Sequence, residues 1–133
     1  MSPIDIEVQM DIEIAGTLAP AAKIVVYFAP NTDAGFLEAL NAAIYDEKNA
    51  PSVISISWGS SESQWTAQSL QVYNQAFQTA AALGITVCVA SGDRGSKDGE
   101  PHGLPRRFPR IQPLCFSLRR YSLAKSDGRN HLA

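Results

Sequence analysis

Two strings decide how this chain folds: Ser52-Val53-Ile54-Ser55-Ile56-Ser57-Trp58-Gly59 and Gly84-Ile85-Thr86-Val87-Cys88-Val89-Ala90-Ser91-Gly92-Asp93. Each is a short apolar run, rich in β-branched residues, that stops at serine and glycine, which is the pattern of a buried strand. Gln64 to Leu83, between them, has helix length, with a cap expected near Ser63 and Gly84 to close it. Strand, helix, strand in that order predicts parallel pairing through a right-handed crossover.

Outward from this unit the same signs recur. Lys23-Ile24-Val25-Val26-Tyr27-Phe28-Ala29, bounded by Pro20 and Pro30, reads as a further fully buried strand. Thr32 or Asp33 can cap a helix from Ala34 to about Tyr45. Ile4 to Thr17 alternates apolar residues at even positions, as a strand would, yet its acids and its Ala15-Gly16 ending suit a helix, and a helix is the preferred reading. The fold class expected is therefore α/β, a partial parallel sheet with helices on both faces over residues 1–104, followed by an irregular basic tail over 105–133. In such sheets function gathers beyond the carboxyl ends of the strands. Two of those ends are chemically distinctive: Ser57-Trp58-Gly59-Ser60-Ser61 and Ser91-Gly92-Asp93.

Composition narrows the classes. With 133 residues, 45% hydrophobic and 18% charged, one domain is the most the chain can form. No apolar run approaches the ~18 residues of a membrane span. Met1 to Asp5 lack the basic start and apolar core of a secretion signal. Cys88 and Cys115 are too few for a disulfide scaffold, and His102 and His131 have no partners at ligand spacing, so no metal is expected. The Gly-rich phosphate turn of a nucleotide-binding α/β protein is missing. The net charge of −2 conceals an imbalance. Residues 1–104 hold four basic and twelve acidic residues, whereas 105–133 hold seven basic residues and one acid, Asp127.

Three acids invite a chemical reading. On a helix, Glu7 and Asp11 share one face with their Cβ atoms ~5–6 Å apart. Carboxylates so paired can act as a base and its relay, although acidic i, i+4 pairs are also common on solvated helix surfaces. Asp93 lies between glycines at a strand end, where a ligand can approach the backbone, or where the side chain can simply bond its own turn. Trp58 can line a substrate groove or pack half-buried.

In the run from Glu7 to Ile24 the chain resembles the sedolisin family of serine-carboxyl peptidases, with Glu7-Val8-Gln9-Met10-Asp11 followed by Ala19-Pro20-Ala21-Ala22-Lys23-Ile24. Val26 to Phe36, Ser55 to Gly59 and Gly92 to Ser96 continue the likeness, which covers about residues 4–104. The resemblance implies a subtilisin-like fold and a serine-type endopeptidase, extracellular in the parent family, that cleaves proteins at acid pH. It matches Glu7 to the general base, Asp11 to the acid that orients it and Asp93 to the oxyanion-site acid. Ser57-Trp58-Gly59 is matched to a backbone edge on which a peptide substrate docks. A carboxylate titrating near ~4 is a serviceable base in acid, where a histidine would be charged. A protonated acid can donate to an oxyanion, but an ionised one would repel it.

Three departures qualify the match. Arg94 stands where the family has a small serine, and a cation beside Asp93 opposes its donation to an oxyanion. The nucleophile's Ser-Gly-Thr-Ser motif does not occur among the 133 residues, and neither does the family's calcium site, which lies downstream of the matched region. The chain by itself is therefore expected to be inactive and to hold no cofactor. Its expected partner is a protein or peptide substrate of the parent enzyme, with no nucleic acid and no membrane. The alternative is a non-catalytic α/β binding module with a basic tail.

The tail reads as a reading-frame slip. Codons exist for Pro105 to Ser122 that, read one base later, spell His-Val-Asp-Phe-Pro-Ala-Ser-Ser-Pro-Tyr-Val-Ser-Arg-Cys-Gly-Gly-Thr, a string like that expected next in the family. One event would then explain both the charge reversal and the lost periodicity. The competing explanation is a genuine polyanion-binding tail. Sequencing the gene is expected to return that string in the shifted frame, and any other string refutes the slip.

Overall fold

The structure, a computed structural model, describes residues 3–93 and, beyond them, the backbone of residues 107–108 and 116–117. The order is α1 (Pro3–Leu18), α2 (Asp33–Ile44), β1 (Val53–Ile56), β2 (Ser60–Ser61), a 3₁₀ turn (Glu62–Gln64), α3 (Ala67–Ala82), β3 (Thr86–Val89), β4 (Arg107–Phe108) and β5 (Phe116–Ser117).

The deciding unit folds as its sequence implies. β1 and β3 pair in parallel, Val53 opposite Thr86 through Ile56 opposite Val89. Helix α3 makes the crossover between them and ends at Gly84, whose φ of 75° is the left-handed conformation that closes helices. The cap is displaced from expectation: Thr66, not Ser63, accepts a hydrogen bond from the Ser69 N–H at 3.0 Å. Ser63 instead lies in the preceding 3₁₀ turn. α2 is capped by Thr32, whose hydroxyl oxygen accepts from the Gly35 N–H at 3.0 Å.

The core is built by α2 and α3 on one face of the sheet. Leu40 and Ile44 of α2 and Tyr73, Ala76, Phe77 and Ala80 of α3 pack on Ile56, Val87 and Val89. Burial follows the pleat. On the other face Val53, Ser55 and Thr86 are exposed and Cys88 is half-buried. Among the described residues the packed helices cover this one face, and the serines of β1 make it an alternating strand.

Two further expectations change. Lys23 to Ala29 is not a buried strand. It has no regular secondary structure and lies outside the described sheets, with Ile24, Val25, Val26 and Phe28 exposed. Its apolar character suits burial, but a strand forms only where a partner's ladder meets it, and hydrogen bonds to side chains hold this segment instead. Within the tail expected to be irregular, β5 pairs in parallel with β3 and β4 antiparallel with β2. Open strand edges offer backbone donors and acceptors to any passing chain, whatever its side chains. The other tail residues, with Cys115, His102 and His131, lie outside the described residues, as does Arg94.

Candidate functional site

β1 and β3 are neighbours and parallel, so the loops that leave their carboxyl ends emerge together. The ladder extends one step beyond the strands, where the Ala90 N–H donates to the Ile56 carbonyl at 2.9 Å. Ser57-Trp58-Gly59 and Ser91-Gly92-Asp93 therefore leave the sheet side by side. Ser57, Trp58 and Gly59 are half-buried, and Asp93 is exposed after Gly92, whose φ of 84° is the left-handed turn that glycine permits.

Trp58 is held by aromatic neighbours. The Phe36 ring of α2 stacks on it at 4.2 Å and 15°, and the Trp65 ring meets it edge-on at 5.2 Å. Trp65 in turn packs edge-on against Tyr73 at 5.3 Å, and its indole N–H donates to Ser60 Oγ at 2.7 Å. The Tyr73 hydroxyl donates to the Asp33 carbonyl at 2.8 Å, and burial pushes its phenol pKa up. A file of rings thus runs from the core to the strand ends. Phe36 has no motif of its own, because its partner lies on another element 22 positions away, so sequence reasoning did not single it out.

The preferred helical reading of Ile4 to Thr17 holds, and it sets Glu7 and Asp11 one turn apart on one face of α1. Its apolar residues recur at alternate positions and so are spread around the helix without forming one stripe. Ile4, Ile6, Met10, Ile12, Ile14 and Leu18 are exposed, Glu7, Val8 and Asp11 are half-buried, and Asp5 and Glu13 are exposed. The structure sets Glu7 and Asp11 one turn apart on α1, and sends the loops that carry Trp58 and Asp93 out from the same ends of two paired strands. Among the described residues neither Glu7 nor Asp11 forms a hydrogen bond that joins the two pairs.

Among the described residues no group of three or more His, Cys, Asp or Glu could hold a metal ion. No described helix is long and apolar enough to cross a membrane.

Comparison with known proteins gives a consistent result. Residues 6–111 match the model of the subtilase family. The chain is 52% identical over 126 residues to kumamolisin of Bacillus sp. (strain MN-32), covering 94% of this chain and 23% of that protein. It is 33% identical over 110 residues to tripeptidyl-peptidase sed5 of Aspergillus fumigatus, covering 77% of this chain and 18% of that one. A solved structure of Pseudomonas sedolisin, a serine-carboxyl proteinase complexed with two molecules of pseudo-iodotyrostatin, superposes with a TM-score of 0.61 at 32% identity over 69% of this chain and 27% of that one. The chain thus spans less than a quarter of the curated relatives it matches.

Proposed function

We propose a function from one premise: the chain belongs to the subtilase family, as a sedolisin-like member. It carries the acid half of the catalytic centre of a serine-type endopeptidase that works on proteins in acid. Glu7 is the base that takes the proton of a serine supplied by another part of the domain, and Asp11 orients Glu7. Asp93, when protonated, donates to the oxyanion, and Ser57-Trp58-Gly59 forms the edge along which the substrate strand lies. Like the parent enzyme's extracellular location, these roles come from the family.

The observation that supports the reading is the different exposure of the acids of α1: Glu7 and Asp11, one turn apart, are half-buried, whereas Asp5 and Glu13 are exposed. Half-burial suits a base, because it restricts the solvent around the carboxylate while leaving a path for a proton.

The 133-residue polypeptide is expected to cleave nothing, because the covalent route needs a nucleophile its sequence does not supply. The roles are tested by exchange. Residues 4–104 replace the matching segment of kumamolisin, and protein hydrolysis is followed near pH 4. The chimera is expected to be active, and Glu7→Gln in it to lower kcat by about 10²–10⁴-fold, the usual worth of a positioned base. A chimera whose activity is indifferent to both Glu7→Gln and Asp93→Asn ends the reading and leaves the non-catalytic binding module.

A further inference from the structure

Lys23 to Pro30 follows α1 without regular secondary structure, with Ile24, Val25, Val26 and Phe28 exposed. Burial of apolar surface therefore does little to hold it. What ties it down is polar. The Tyr27 hydroxyl donates to Asp46 Oδ2 at 2.6 Å, and Lys23 Nζ donates to Asn49 Oδ1 at 2.6 Å. Asp46 also organises the turn that receives the segment. Its Oδ1 accepts from the Asn49 backbone N–H at 2.9 Å, its Oδ2 accepts from the Asn49 side-chain amide, and its carbonyl accepts from the Ala50 N–H at 2.7 Å. The segment leads back to α1 through Ile24, whose Cδ1 lies against Gly16, 3.7 Å from where a Cβ would stand.

We infer that Asp46 is the centre of a latch: its carboxylate, shared between Tyr27 and Asn49, fastens the segment that follows α1 onto the turn that follows α2. The latch goes beyond the peptidase reading and does not depend on it, since its geometry stands even if the chain takes no part in catalysis. It matters because the same segment joins the acid-bearing helix to α2.

The groups facing Asp46 are Tyr27 and, through Asn49, Lys23 from the segment; its own turn contributes Glu47 and Lys48. An ordinary aspartate would be half protonated near ~3.9 and would weaken as an acceptor there. The Tyr27 and Asn49 donors favour the charged form and hold the Asp46 pKa down at about 2. The sign follows from linkage. The unfolded chain binds this proton near ~3.9 and the folded chain only near 2, so the stabilisation is complete above the unfolded value, diminishes as pH falls below it and is gone once Asp46 protonates. At pH 3 to 4 the folded latch still holds its charge.

The test is an NMR pH titration of the 133-residue chain labelled at the aspartate carboxyl carbons, with and without Tyr27→Phe. Asp46 is expected to titrate with a midpoint near 2 in the unchanged chain, and Tyr27→Phe to raise that midpoint by about one pH unit, the effect of losing a hydrogen bond to the charged form. Contacts between the Tyr27 ring and Asn49 are expected to persist at pH 3 and to disappear when Asp46 protonates. An Asp46 midpoint near the ordinary ~4 in the unchanged chain overturns the latch, as does a midpoint unmoved by Tyr27→Phe. The readout involves no hydrolysis, so its failure is separate from failure of the peptidase reading.

Discussion

Phe77→Ala destabilises the chain by about 3–5 kcal/mol, whereas Phe28→Ala leaves its stability within ~0.5 kcal/mol of the original. Phe77 is 1% exposed and sits where α3 meets the sheet, among Tyr73, Ala80, Val87 and Val89. Truncating it opens a cavity that its neighbours only partly close, at a cost of about 3–5 kcal/mol. A domain typically has ~5–15 kcal/mol in all, and here one face of a short sheet supplies the described core, so a loss of that size leaves little. Phe28 is 81% exposed and its ring contributes little burial. Urea denaturation followed by circular dichroism distinguishes the two variants. A Phe77→Ala loss below ~1 kcal/mol would mean that α3 does not pack as described.

Gly35→Ala destabilises by about 1–3 kcal/mol, against the rule that alanine improves a helix by up to ~1 kcal/mol over glycine. Gly35 lies in the first turn of α2, and a Cβ there would collide with the Pro30 carbonyl oxygen and crowd its ring carbon at 3.1 Å. That carbonyl is fixed, because it accepts from the Thr32 N–H at 2.7 Å in the bend that presents the Thr32 cap. The obstacle is backbone, so relief requires moving either the bend or the helix start. Moving the helix start displaces Phe36, the next residue, and with it the ring stacked on Trp58. A lowered melting temperature together with a shifted tryptophan emission is the expected signature. A variant as stable as the parent would show that Pro30 and Gly35 are not in contact.

Much of the site's framework was readable in the chain. β1, α3 and β3 announce themselves because apolar strands and a glycine-closed helix are local patterns. The loops after β1 and β3 are adjacent because parallel strands send their carboxyl ends the same way. The position of the α3 cap was less legible. Ser63 and Thr66 are equally good caps by type, and the choice fell to Thr66 because the indole of Trp65, just before it, is drawn into the core and bonded to Ser60. Phe36 beside Trp58 left no local trace, because the contact joins two elements.

Residue types and spacing alone determined that this chain is α/β and that Asp93 follows a strand, and they favoured the helix on which Glu7 and Asp11 share a turn. Each of these is a property of neighbours along the backbone. Which of the acids of α1 are shielded was decided only in three dimensions, where Glu7 and Asp11 are half-buried while Asp5 and Glu13 are exposed. The same holds for Lys23 to Ala29, whose composition is that of a buried strand but whose anchors are Asp46 and Asn49. Periodicity measures how much apolar surface a segment could bury, while the surface actually buried depends on which other segments reach it.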